Sequence, residues 1–132
     1  MATNNQSQRQ TIEQERAKRG WRDVNQVQEA NQKRYTTLAR KLASMIQING
    51  LGSTLAFILS KAGGNRNSAE QQIYNHLSNY VTLRLGYSDS DLMQLVRDEN
   101  VNTYRRATAE SIEYAVWLSR YVSAMGWEGE AE

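Results

Sequence analysis

The chain has 132 residues, a length that suits one domain with its own hydrophobic core and leaves no room for two. It contains no proline and no cysteine, which leaves long helices unobstructed and excludes a disulfide framework, a thiol nucleophile and a cysteine metal site. The net charge of +2 conceals an asymmetry: residues 1–66 hold 11 Lys/Arg against 4 Asp/Glu, and residues 67–132 hold 5 against 10, so the first half is the part suited to meeting a polyanion.

Residues 1–10 are rich in Asn, Gln and Ser with no apolar period, and the sequence predicts a flexible N-terminus there. Thr11 with Gln14 offers a capping box for a first helix over about Ile12–Ala30. Ala17, Trp21, Val24 and Gln28 share one face of it, with Val27 at the border. The second helix carries the stripe Tyr35, Leu38, Ala39, Leu42, Met45 and Ile46 and stops at Asn49-Gly50. The run LAFIL, Leu55 to Leu59, is apolar on every side and predicts a short third helix buried all round, ended by Gly63-Gly64.

Ser68 with Gln71 predicts the cap of a fourth helix bearing Ile73, Leu77, Tyr80, Val81 and Leu85 as far as Gly86. Ser88 with Asp91 opens a short fifth helix with Leu92, Leu95 and Val96. The sixth starts near Asn102 or Thr103 and aligns Tyr104, Thr108, Ile112, Ala115, Leu118 and Val122. The predicted architecture is therefore all-α: one compact bundle of about six helices over residues 11–126, followed by a flexible acidic C-terminus at 127–132. No apolar run approaches a membrane span and MATNNQSQRQ lacks a signal-peptide core, which points to a cytoplasmic protein with no membrane partner.

Catalytic chemistry finds little support. The one histidine, His76, has no carboxylate one helical turn away and reads as a surface or structural residue. The pairs Asp89/Asp91 and Glu110/Glu113 fit helix starts and solvated faces better than an acid–base dyad. NGLGST lacks the spacing and the lysine of a phosphate loop and follows a helix; Gly50 reads as a cap, Gly52 as a close approach, and Ser53 or Thr54 as the oxygen capping the third helix. No cofactor, metal or small-molecule substrate is expected.

The cations are more informative. Lys18, Arg19 and Arg22 cluster opposite the Trp21/Val24 face, Lys33 and Arg40 point away from the core stripe of the second helix, and Arg34 and Lys41 flank it. Such a surface positions a phosphate backbone without reading bases, and its binding weakens with salt. The aromatics fall mostly on core faces, which argues against base stacking.

Three segments together, RAKRGW from Arg16, YTTLARKLASMIQINGLGSTLAFILSK from Tyr35 and YRRATAESIEYAVWLSR from Tyr104, resemble the small all-helical subunit of the type III-B CRISPR effector, the fifth protein of the Cmr (RAMP module) complex. The resemblance implies a non-catalytic subunit in antiviral defence. Its copies stack on one another, beside the large subunit and opposite the backbone subunit, and help hold the crRNA–target RNA duplex. Within the matching segments lie the cations Arg16, Lys18, Arg19, Arg40, Lys41, Lys61, Arg105, Arg106 and Arg120. The overlap with the helical wheel selects Lys18, Arg19, Arg40 and Lys41 as RNA-binding residues, with Arg22 and Lys61 next. Arg105 and Arg106 are expected to pair with Glu110. The alternative is a helical protein–protein interaction module whose cations meet acidic partners rather than RNA.

Overall fold

The structure, a computed structural model, describes residues 5–131. It contains helices α1 (Asn5–Asn25), α2 (Gln32–Asn49), α3 (Leu51–Ala62), α4 (Ala69–Leu85), α5 (Leu92–Asp98) and α6 (Val101–Ala124), with one 3-10 turn at Glu29–Asn31 and no strand among the described residues. The all-α bundle of six helices expected from the sequence is the observed one. α1 begins ahead of the expected start, so Thr11 lies inside the helix, and it ends at Asn25 rather than Ala30. Residues 1–4 of the N-terminal segment predicted to be flexible lie outside the described residues.

Helix ends follow from short polar side chains and glycines. Ser68 Oγ accepts from the Gln71 N–H at 3.0 Å, as the capping box predicts. α5 is capped by Asp91 itself, whose Oδ1 accepts from the Gln94 N–H at 3.0 Å, and α6 by Asn100, whose Oδ1 accepts from the Thr103 N–H at 2.9 Å. Gly63 and Gly86 close α3 and α4 in the left-handed region, which side-chain-bearing residues avoid.

The joint between α2 and α3 differs from expectation. Gly50, at φ 87°, is both the last cap of α2 and the first of α3. Its N–H donates to the Ile46 carbonyl at 2.9 Å, and its carbonyl accepts from the Thr54 hydroxyl at 2.8 Å. No side chain of Ser53 or Thr54 caps α3; the free Gly52 N–H instead donates to the Tyr104 hydroxyl of α6 at 2.9 Å.

The core forms around α4, which packs against α2, α3, α5 and α6. Three fully buried tyrosines, Tyr35, Tyr80 and Tyr114, provide its bulk, and the Tyr80 and Tyr114 rings stack with centroids 4.3 Å apart. The helix predicted to be buried all round is amphipathic instead: Leu51, Leu55 and Ile58 face the core, while Ser53, Ala56, Phe57, Ser60 and Lys61 face solvent. Phe57 is 44% exposed, and Lys61 lies 5.6 Å from the centre of its ring. Trp21 likewise sits on the rim, 47% exposed and edge-on to Tyr121, rather than on the core face with Val24. On α6 the core stripe is Thr103, Ala107, Ser111, Tyr114, Ala115, Leu118 and Val122, so the predicted Ala115, Leu118 and Val122 are buried. Tyr104, Thr108 and Ile112 flank it, half-buried, because Tyr104 reaches sideways to α3.

Candidate nucleic-acid interface

The first cluster of predicted contact residues lies on α1. Lys18 and Arg22 are exposed, and Arg22 has an acidic neighbour in Asp23, at 3.9 Å. Arg19 is half-buried and lines a cleft of about 240 Å³ with Glu15, Tyr80, Leu83 and Arg84, its Nε buried without a hydrogen-bond partner in the protein. Arg84 joins this cleft from α4, a cation that no local pattern in the sequence marked.

Arg40 and Lys41 lie on α2, which packs against α3, α4 and α6. Both are exposed, yet the Arg40 Nη2 donates to the Trp127 carbonyl at 3.3 Å. Lys61 closes the last turn of α3. α1 packs on α6 and has no comparable packing against α2 or α3, the helices that carry Arg40, Lys41 and Lys61.

Several cations are committed to structure. Arg16, whose side chain is 14% exposed, donates to the Tyr80 hydroxyl at 3.0 Å and pairs with Glu110 at 3.1 Å and Glu113 at 3.6 Å. Burial works against its charge, but the hydrogen bond to Glu110 and the neighbouring acids outweigh it and hold its pKa above the usual guanidinium value. Arg34 pairs with Glu70 at 2.8 Å and Glu130 at 2.9 Å. Glu110 is taken by Arg16, by Tyr80 and, at 3.8 Å, by Arg84. The expected pairing of Arg105 and Arg106 with Glu110 is therefore replaced by contacts from α1 and α4, and both arginines are exposed.

The polar interior looks structural. Tyr114 donates to the buried carboxylate of Asp23, and the Tyr35 hydroxyl shares a 2.8 Å hydrogen bond with His76 Nδ1. Burial, and secondarily Arg22, lower the His76 pKa from its ordinary 6.5 despite the opposing field of Asp23. His76 thus stays neutral in the folded chain where the unfolded chain would already bind a proton. Stability is intact above 6.5 and falls as pH drops below it toward the lower folded value. Denaturation midpoints measured across this range should decline for the natural chain and decline less for His76→Gln.

Among the described residues there is no group of three or more His, Cys, Asp or Glu placed to hold a metal ion, and no helix is long and apolar enough to cross a membrane. A recess of about 470 Å³ lies between α1 and α6 and is lined by Ile12, Glu13, Arg16, Val116, Trp117 and Arg120 among others. It brings together no nucleophile and base. Arg120 lies 5.7 Å from the centre of the Trp117 ring.

Comparison with known proteins agrees with this architecture. Residues 12–125 match the family described as CRISPR-associated protein (Cas_Cmr5). The CRISPR system Cmr subunit Cmr5 of Thermus thermophilus is 28% identical over 92 residues, covering 69% of this chain and 74% of that protein. The crystal structure of a CRISPR-associated Cmr5 family protein from the same organism matches with a TM-score of 0.69 at 26% identity, covering 85% of this chain and 95% of that one. With a family match across most of its length and a shared fold, the chain belongs to the Cas_Cmr5 family of CRISPR-associated proteins.

Proposed function

We propose that this chain is a non-catalytic small subunit of a cytoplasmic type III-B RNA-guided effector. It stacks with further copies of itself beside the large subunit and opposite the backbone subunit, and helps hold the crRNA–target RNA duplex. The RNA-binding part of this reading rests chiefly on one observation: Lys18 and Arg22 stand exposed on α1, with Arg19 between them and Arg84 nearby. Spaced guanidinium and ammonium groups on a helix suit phosphate oxygens and carry no base readout. Family membership supports the CRISPR context.

A second reading, a protein-interaction module without RNA contact, draws on the recess between α1 and α6, where Ile12, Val116 and Trp117 combine apolar surface with Arg16 and Arg120. Crosslinking from Lys18 in the assembled complex separates the two: adducts to RNA support the first, and adducts to protein alone support the second.

Charge reversal gives the functional test. Lys18→Glu/Arg22→Glu in the assembled complex should weaken target-RNA retention, and the slope of log affinity against log salt should become shallower by about 0.7–0.9 for each phosphate that is no longer neutralised. Adding Arg19→Glu should deepen the loss, while circular dichroism of the isolated subunit with the double substitution stays unchanged. Retention that is the same at every salt concentration would remove α1 as an RNA contact.

A further inference from the structure

The acidic segment after α6, expected to be loose, lies along α2. The Arg40 Nη2 donates to the Trp127 carbonyl at 3.3 Å, the Glu130 N–H donates to Thr37 Oγ1 at 2.8 Å, and the Glu130 carboxylate pairs with Arg34 at 2.9 Å. The Thr37 hydroxyl in turn donates to the Lys33 carbonyl at 3.3 Å, which turns its lone pairs toward the segment. Trp127 packs against the core, and Trp127 and Glu128 line a recess with Glu29, Gln32 and Lys33.

Gly129 shows how closely the two are seated. A Cβ there would meet Thr37 Oγ1 at 3.0 Å and Arg40 Nη1 at 3.3 Å, so a side chain at residue 129 would press on the two side chains that hold the segment. The backbone angle at Gly129 is not in the left-handed region, so the constraint on a larger residue there is crowding rather than backbone strain.

WEGEAE, residues 127–132, carries three glutamates and no cation. It is a short polyanion, and its Trp127 carbonyl and Glu130 carboxylate engage Arg40 and Arg34. A nucleic-acid backbone would present its phosphate oxygens to the same donors. We propose that residues 127–131 are an internal occupant of the polyanion face of α2, and that RNA engages Arg34, Thr37 and Arg40 only by displacing them. This inference rests on the RNA-binding reading above and sharpens it: α1 offers the open basic surface, and α2 a guarded one.

The test uses the full chain in the assembled complex and measures retention of a fluorescent target RNA. Gly129→Val pushes the segment off α2 without changing any charge. Exposed ion pairs and hydrogen bonds of this kind are individually weak, so release should tighten RNA binding by roughly three- to tenfold and steepen its salt dependence. Combining Gly129→Val with Arg34→Ala/Arg40→Ala should abolish the gain, and loading RNA onto the natural complex should accelerate amide exchange at Glu130.

Retention that depends on Arg34 and Arg40 but ignores Gly129→Val, with Glu130 exchange unchanged, would overturn the guarding role and leave RNA binding at α2 standing. A gain from Gly129→Val that persists without Arg34 and Arg40 would overturn displacement at α2. Retention indifferent to both the α1 and the α2 cations would overturn the RNA-binding reading, and this inference with it.

Discussion

Leu55→Ala is expected to cost about 2–5 kcal/mol, because the fully buried leucine leaves a cavity that the packed helices around it cannot close. That is a large share of the roughly 5–15 kcal/mol available to a domain of this size. Two residues on, Phe57→Ala should cost about 1 kcal/mol or less, since the ring is already 44% exposed and loses mainly its contact with Lys61. The contrast is the decisive measurement. A helix buried all round would make both substitutions severe, whereas the amphipathic helix seen here separates them. Urea titrations of the two variants, compared at matched m-values, read the difference directly.

The second large effect is centred on Glu110. Its carboxylate accepts from the Tyr80 hydroxyl and Arg16, both at 3.1 Å, and lies 3.8 Å from Arg84. Glu110→Ala removes the partner of a guanidinium whose side chain is 14% exposed and takes an acceptor from a tyrosine whose burial pushes its pKa up to about 12. An ionic group left poorly compensated at low exposure costs more than the pair contributes when intact. A loss of about 2–4 kcal/mol is expected, with α1 loosening first, because Arg16 ties α1 to Glu110 on α6. Glu113→Ala is the control. Glu113 touches the same arginine at 3.6 Å but is 59% exposed, and its removal should change stability by about 0.5 kcal/mol at most.

The helices could be read from the sequence because each main one carries a local period and a local stop. The α2 stripe from Tyr35 to Ile46 is buried as predicted except for the half-buried Met45, and the Ser68 cap and the Gly63 and Gly86 stops act within a few residues of themselves. The misplacements also have physical causes. The run LAFIL looks buried in isolation because its composition is uniformly apolar, but only one face of α3, with Leu55 and Ile58, is buried against its neighbours, and Phe57 lies on the other. The α6 stripe is offset because the side chain of Tyr104 is used to hold the start of α3.

The candidate site was legible only in part. Exposure of Lys18 and Arg22 follows from their position on one helix, which a wheel captures. The fate of Arg40, Arg34 and Arg16 depends on partners from distant parts of the chain: Trp127, Glu70 with Glu130, and Glu110. No spacing along α1 or α2 encodes those meetings.

The joint at Gly50 has a mechanical consequence. One residue ends α2 and begins α3, and with its N–H and carbonyl both engaged no residue is left over to flex. The Tyr104 hydroxyl then pins the first turn of α3 to α6. The two helices form a bracket whose opening angle is set before any partner arrives, so a ligand bridging both arms need not freeze a hinge.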